Sequence, residues 1–423
     1  MNRRITRLAV ALAVSFAVLL VQLTNIGFLG ADELRRHELN TRAATAAIGS
    51  ARGAIISADG ETIAPGIGPD DSGALQVRSY PHGSLYAHIA GYLSPAAGAS
   101  GLERSWDAEL SGSALDVAVT QLADLFADSG RVGDVILTVH HGVQLTARAA
   151  LGDRDGAIVV VDPATGAIVA MWSRPSFDPN AQVVLAPDAV TASASQPVAR
   201  AYQRHYALIA DAALDATGDE LLRGARRQLG LTGIDLPGEP DGAVFGEGVP
   251  LTPLQLALAA AAIANDGVRM RPYVVHRVDA RSASRSGEGE PPTPDASAQT
   301  TPRDAGRIFE IADAAGLLAH MAAQAQLASI GLAPTDGVEL PAAVATGQLL
   351  DPNSDRERTG SWAVLLAPAD APTVAVAVLI EPDTGLDVGD PQAGGTLATM
   401  IAATAAEAAL ALRAVPTSFE DGP

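Results

Sequence analysis

The chain has no cysteine, and its 28 cationic residues are all arginine. This leaves serine, threonine, histidine and carboxylates as the groups that can do chemistry. It excludes a thiolate nucleophile or metal site, a Schiff base, a phosphate-loop lysine and a serine–lysine pair. A hydroxyl nucleophile would need some other base. Ser193 and Ser195 have none beside them in the pattern. His205 can accept a proton in principle, but its tract of aromatic and basic neighbours reads as that of a structural histidine. The one S-x-x-R, from Ser282 to Arg285, fails as a nucleophile–base pair because arginine stays protonated. His140 and His141 suggest a metal, but adjacent side chains on a strand point to opposite faces and no third ligand stands out. Asp211, Asp215, Asp219 and Glu220 read as the solvated face of one helix.

The elements that would position such groups follow from composition and periodicity. A length of 423 residues suggests two to three domains, and 48% hydrophobic against 18% charged residues excludes general disorder. Aromatics are only 4%, so Ala, Val and Leu must fill the core. A net charge of −20 argues against nucleic acid as a partner. The absence of cysteine leaves the redox compartment open.

Arg3, Arg4 and Arg7 precede an uncharged run over 8–31. As a helix, those 24 residues cover the ~30 Å of a bilayer core. The pattern predicts a single-pass anchor with 1–7 in the cytoplasm and the bulk of the chain outside. A cleaved signal peptide would carry a shorter apolar run, roughly 7–15 residues; Gln22, Thr24 and Asn25 keep that alternative open.

Beyond the anchor, 32–45 and 114–128 read as helices and 54–63 as a hairpin turning at Asp59-Gly60. A strand is expected at 135–139 and a helix at 142–151. The β-branched runs at 157–161 and 167–171 flank Asp162-Pro-Ala-Thr-Gly166, a hairpin apolar on both faces that needs cover on both sides. Helices are expected at 208–231, at 252–264 (Thr252 as cap, Pro253 as first residue), at 305–325 and at 395–415. Paired strands are expected at 362–368 and 373–381. The Ser-, Pro-, Gly- and Glu-rich stretch 280–304 reads as a flexible loop.

These pieces, in this order, resemble a class B penicillin-binding protein of the actinobacterial A type. The resemblance rests on Asn40-Thr41-Arg42, Arg52-Gly53-Ala54-Ile55, Tyr80-Pro81, His88-Ile-Ala-Gly-Tyr92 and Ser100-Gly-Leu-Glu103. It continues through the 156–180 stretch GAIVVVDPATGAIVAMWSRPSFDPN, Thr232-Gly-Ile-Asp-Leu-Pro-Gly-Glu239, Leu251-Thr-Pro-Leu-Gln-Leu256, Ala261-Ala-Ile-Ala-Asn265, Trp362-Ala-Val-Leu-Leu-Ala-Pro368 and Val374-Ala-Val-Ala-Val378. It implies an α/β (α+β) fold with an anchor, a small pedestal (dimerisation-like) domain over 32–148, and a transpeptidase-like domain over 149–415. That second domain, of the penicillin-binding/β-lactamase type, would hold a central antiparallel five-stranded sheet with flanking helices. Residues 416–423 would be a tail.

The family's chemistry is acyl transfer through S-x-x-K, S-x-N and K-T-G groups, which supply nucleophile, base and oxyanion support. The chain has no S-x-N, and the segment that should carry the nucleophile after Asn180 reads as deleted, the chain passing through Gln196 and Arg204 straight into the helix at 208–231. Ala345-Thr346-Gly347 stands where the K-T-G strand is expected, without its cation. The resemblance therefore implies a pseudoenzyme: a non-catalytic scaffold or regulator of cell-wall biogenesis, without cofactor or metal. Its partners would be cell-wall synthesis or division proteins, or peptidoglycan itself. The alternative is an active D,D-transpeptidase that binds penicillin through an unrecognised nucleophile. Loss of the family's central buried helix further predicts a large groove over the sheet.

Overall fold

The computed structural model describes residues 51–67, 78–94, 98–113, 131–182, 253–282, 297–332, 340–350, 359–380 and 391–414. The expected anchor and the helices at 32–45, 114–128 and 208–231 lie outside these residues. Among the described residues no helix is long and apolar enough to cross a membrane.

The first part of the fold is the pedestal. Strands β1 (Ile55–Ile56) and β2 (Thr62–Ala64) form the expected hairpin. Its turn is tied by Ser57, whose hydroxyl donates to Asp59 Oδ1 at 2.5 Å and accepts from Glu61 N at 2.9 Å. A single 3-10 turn, Gly83–Tyr86, runs into α1 (Ala87–Ala90), followed by the two-residue strands β3 (Leu93–Ser94) and β4 (Gly98–Ala99). Two short helices, α2 (Gly101–Ser105) and α3 (Asp107–Leu110), complete it. β5 (Arg131–Leu137) then pairs in parallel with β1.

Helix α4 (His141–Leu151) has no cap of its own. The Asp59 carboxylate from the β1–β2 turn serves instead, accepting from His141 N at 2.9 Å and Gly142 N at 3.3 Å. Partial burial would raise this carboxyl. The hydrogen bonds from His141, Ser57 and Gly142 outweigh that and hold it below the usual carboxylate range.

β6 (Gly156–Val161) and β7 (Ile168–Arg174) form the second hairpin. Its turn closes through Gly166 N to Asp162 O at 2.8 Å and Ala164 N to Asp162 Oδ1 at 2.9 Å. Gly166 has φ +79°, and a Cβ there would sit 2.5 Å from Arg271 O, so glycine is required on both counts. After a short 3-10 turn at Pro179–Gln182, the described chain resumes at α5 (Pro253–Ala264). Then come β8 (Val268–Met270), β9 (Val275–Ser282), β10 (Ser297–Gln299), β11 (Asp304–Arg307) and α6 (Ile311–Leu327). The chain continues through β12 (Gly331–Leu332), β13 (Leu340–Pro341), β14 (Ala343–Leu350), β15 (Thr359–Ala367), β16 (Val374–Ile380) and α7 (Pro391–Ala414).

Two five-stranded sheets organise these elements. The second, ordered β14-β15-β16-β6-β7, is antiparallel throughout and is the central sheet the resemblance implies. Helix α5 is apolar but for Gln255, and its apolar residues are buried at almost every turn, as such a pattern requires. Both α5 and α7 pack on β15 and β16, while α6 packs on β14. Among the described residues the expected groove over the sheet is not found. Six of the seven residues of β16 are buried, the exception being the half-buried Leu379, and β6 is buried throughout. The Ala-rich helices come close enough to cover the sheet because their side chains are small.

The first sheet, ordered β10-β9-β5-β1-β2, differs from the expected domain plan. Its β9 and β10 come from the stretch assigned to the second domain, so the boundary at 148 is not a break in hydrogen bonding. β9 pairs with β5 from Arg131↔Ser282 to Leu137↔Val275. The supposed flexible loop over 280–304 is also structured at its described ends. Ala280 is buried in β9, and Ser297, Ala298 and Gln299 pair with Asp279, Val278 and Arg277. The helix expected from 305 starts at Ile311, because Asp304 and Arg307 pair with Met270 and Val268.

Candidate active site

The strand that should carry the substrate-binding groups is β14, at one edge of the central sheet. Ala345, Thr346 and Gly347 lie in its middle, opposite Val364, Ala363 and Trp362 of β15. One side of β14 is fully engaged by β15. On the other side its outward N–H and C=O groups have no strand partner among the described residues. Such an edge can accept an extended peptide as an added strand. Thr346 is exposed there and offers a hydroxyl, whereas Ala345 is 8% exposed and belongs to the core cluster.

A lysine placed at 345 would therefore enter an apolar environment. Ala345→Lys should lower stability by several kcal/mol rather than install a working cation. Denaturant unfolding of the variant beside the parent chain checks this.

The other sequence candidates are dispersed. Ser193, Ser195, His205, Asp211, Asp215, Asp219, Glu220 and Arg285 lie outside the described residues. Ser282 ends β9. His140 and His141 are not on a strand: His140 precedes α4 and His141 is its first residue. His141 Nδ1 meets Tyr86 Oη at 2.9 Å, and its ring lies tilted at 4.7 Å from that of His82, which pairs with Glu61 at 3.0 Å. Among the described residues no group of His, Cys, Asp or Glu could hold a metal.

The pedestal motif residues, by contrast, converge. Glu103, fully buried, receives Arg52 Nε at 2.8 Å, Arg78 Nε at 2.7 Å and Tyr80 Oη at 3.2 Å. Arg52 also reaches Glu103 O and Asp107 Oδ1, each at 2.7 Å. Arg78 spans Gly53 O and Pro65 O. Burial alone would raise the Glu103 carboxyl, but Arg78 and Arg52 hold it below its ordinary range. Sequence motifs named Arg52, Tyr80 and Glu103. Arg78 carried no signal of its own.

Two carboxamides join the pedestal to the sheet: Gln144, missed in the sequence, and Asn180, the last residue of the 156–180 motif. Gln144, fully buried on α4, donates to Leu85 O at 3.0 Å and Met171 O at 2.8 Å, and accepts from Met171 N at 2.8 Å. It thus acts as a strand partner for the outer edge of β7. Asn180 makes a similar two-point contact with the backbone of Tyr80.

His88 lies at the same junction, where its Nε2–H donates to Pro175 O at 3.1 Å. Burial pushes its imidazole down to about 4, from about 6.5 in an unfolded chain. Between these values the unfolded chain takes up a proton that the folded one refuses. Stability should fall as pH drops from 6.5 to 4, by about 3 kcal/mol in total. Urea unfolding of the parent chain and His88→Gln across that range should show the difference, with the variant losing less.

The transpeptidase motifs now stand on an antiparallel sheet flanked by helices and joined to a pedestal. The model of the penicillin binding protein A dimerisation domain matches residues 52–136, and that of the penicillin-binding protein transpeptidase domain matches 209–407. The chain belongs to the class B penicillin-binding proteins, of the A type.

Curated relatives agree with this family along nearly the whole length. The peptidoglycan D,D-transpeptidase PbpA of Mycolicibacterium smegmatis is 29% identical, covering 97% of this chain and 99% of the relative. The protein of the same name from Mycobacterium tuberculosis is 27% identical with the same coverage. The first alignment runs over 511 positions, more than the 423 residues here, so the relative carries segments without counterpart in this class B chain. Among solved structures, PBPA from M. tuberculosis matches with a TM-score of 0.62 at 25% identity, covering 85% of this chain and all of that one. Its penicillin G acyl-enzyme complex gives the same TM-score at 24% identity, over the same shares. The transpeptidase match begins at 209, yet β6 and β7 complete that domain's sheet from further upstream.

The comparisons overturn one expectation. The missing motifs implied a pseudoenzyme, but the transpeptidase-domain match and the D,D-transpeptidase relatives point to an enzyme. The expectation failed because it treated three short motifs as the sum of the family's chemistry. Catalytic function resides in the site as a whole, and other groups can supply a nucleophile or a proton acceptor.

Proposed function

We propose that this protein is a peptidoglycan D,D-transpeptidase whose reacting hydroxyl is activated without lysine. The transpeptidase match over 209–407 carries the reading, supported by D,D-transpeptidase relatives that align over 97% of the chain. In the reaction a hydroxyl attacks the carbonyl between the last two D-alanines of a stem peptide, and its proton passes to a base. The peptide bond breaks and D-alanine leaves with a proton, so the enzyme holds an ester. An amine of a second stem then attacks the ester and restores the hydroxyl.

With no lysine in the chain, the base is drawn from histidine, tyrosine or carboxylate. Ser193 and Ser195 lie in the shortened connection after Asn180, and His205 follows them, so these are the first residues to substitute. The open edge of β14, with the Thr346 hydroxyl, would receive the extended stem. The run over 8–31 would anchor the chain by a single pass with its bulk outside the cytoplasm, where the stem peptides are. Cell-wall synthesis or division proteins are the expected partners.

Incubating the full chain with a pentapeptide stem ending in D-Ala–D-Ala tests the reading. Release of free D-alanine with transfer to an acceptor amine is expected; intact pentapeptide after prolonged incubation would overturn it.

A further inference from the structure

The chain leaving β8 is held on two sides. Arg271 N donates to Arg303 O at 2.8 Å, which carries the pairing of β8 with β11 one residue further. On the other side Tyr273 N donates to Gly166 O at 3.2 Å, and Ile168 N donates to Tyr273 O at 3.0 Å. Gly166 lies so close that a Cβ there would sit 2.5 Å from Arg271 O. Pro272 and Pro302 stiffen both chains beside this contact.

Register decides where the charges go. Met270 stands opposite Asp304, so Arg271 stands opposite Arg303 and the two side chains share a face. Arg269, two residues before Arg271, is on that same face, and Asp304 is on the other. Burial first, and then the charge of Arg271, hold the Arg269 guanidinium below its ordinary range. Like charges directly opposite each other in a sheet are destabilising. Arg52, Arg78, Arg174 and Arg277 each meet a carboxylate. Arg271 and Arg303 are exposed, and neither meets one among the described residues. A repulsive pair kept on a rigid base breaks a local rule in the way binding sites do.

The overall charge narrows the ligand. At −20 the chain repels a dense polyanion, and attraction at the arginines reaches only about 8 Å at physiological salt. Single carboxylates spaced along a polymer fit that limit, and guanidinium forks match them. Each uncross-linked stem peptide of a glycan strand ends in such a carboxylate.

We propose that Arg271 and Arg303, beside Arg269, bind the carboxylates of unreacting stem peptides carried on a peptidoglycan strand. The choice of polymer rests on the enzymatic reading above.

The test uses the full chain and fluorescently labelled glycan strands bearing tripeptide stems, which end in a carboxylate but lack the bond between D-alanines. The double variant Arg271→Gln/Arg303→Gln should bind them about tenfold or more weakly, with an unfolding midpoint equal to or above the parent's because the repulsion is gone. Arg271→Lys/Arg303→Lys should keep part of the binding. Strands whose stems end in a methylamide should bind the parent as weakly as the acid strands bind the Gln variant.

Equal binding of acid and amide strands by the parent would overturn the proposal, as would unaltered binding by the Gln variant. Tighter, arginine-dependent binding to phosphatidylglycerol vesicles would overturn it in favour of lipid phosphate. Release of D-alanine from free pentapeptide, followed in parallel, should be the same in parent and Gln variant. No release from a parent that binds strands through these arginines would overturn the enzymatic reading and leave the arginine site standing.

Discussion

Glu103→Ala should destabilise the protein by about 3–5 kcal/mol, the loss expected when one partner of a buried ion pair is removed. Arg52 and Arg78 are 1% and 2% exposed, and both direct Nε at this one carboxylate. Without it, two guanidinium charges would remain in the pedestal core. Asp107 holds one of them, but its own carboxylate is half-exposed and reaches only Arg52. The loss would spread, because Tyr80 hydrogen-bonds Glu103 and Tyr80 also holds Asn180. The carboxyl is held below its ordinary range, so its contribution is complete above about pH 4.3, the unfolded value, and fades as pH falls through the lower folded one. Urea unfolding at pH 7 measures the loss. A change below about 1 kcal/mol would mean that the network is not coupled to folding.

The second large effect is expected in the transpeptidase sheet. Trp362, 3% exposed on β15, lies between Leu379 of β16 and Gly347 of β14. Trp362→Ala should cost about 3–5 kcal/mol, the range for removing a buried aromatic side chain. It should also weaken penicillin acylation at a temperature where the variant is still folded, because the residue backs the Ala345-Thr346-Gly347 segment. Thermal unfolding and labelling of the same preparation separate the two effects. A folded variant that labels at the parent rate would remove β14 from the site.

Local chemistry made much of the fold legible. The runs at 157–161 and 167–171 announced a hairpin by β-branching and by the turn between them, and both strands appear in register. The 253–264 stretch, apolar but for Gln255, reads as a buried helix, and it is one. Long-range pairing was not legible. Nothing local distinguishes β9 as a partner for β5, 138 or more residues upstream along much of the ladder. Residues 305–307 looked like the start of a helix until β8 claimed them as a strand, a case of tertiary context overriding propensity. Glu103, Arg52 and Tyr80 were visible as motif residues, but their shared contact was not. Gln144 gave no signal, and Asn180 was visible only as the end of a motif, because a single carboxamide reveals nothing about the backbone it will meet. The site suffered most from this limit. Absent motifs were read as absent chemistry, whereas the transpeptidase match and the relatives place the chain among enzymes.

Covalent labelling of the full chain by a fluorescent penicillin tests the central claim most directly. An acyl-transfer enzyme of this family should give a band that survives denaturing electrophoresis and is blocked by pre-incubation with unlabelled penicillin. Peptide mapping should then place the label on a hydroxyl residue, with Ser193 and Ser195 examined first. A folded chain that gives no covalent band, beside a mycobacterial relative that does, would contradict the account.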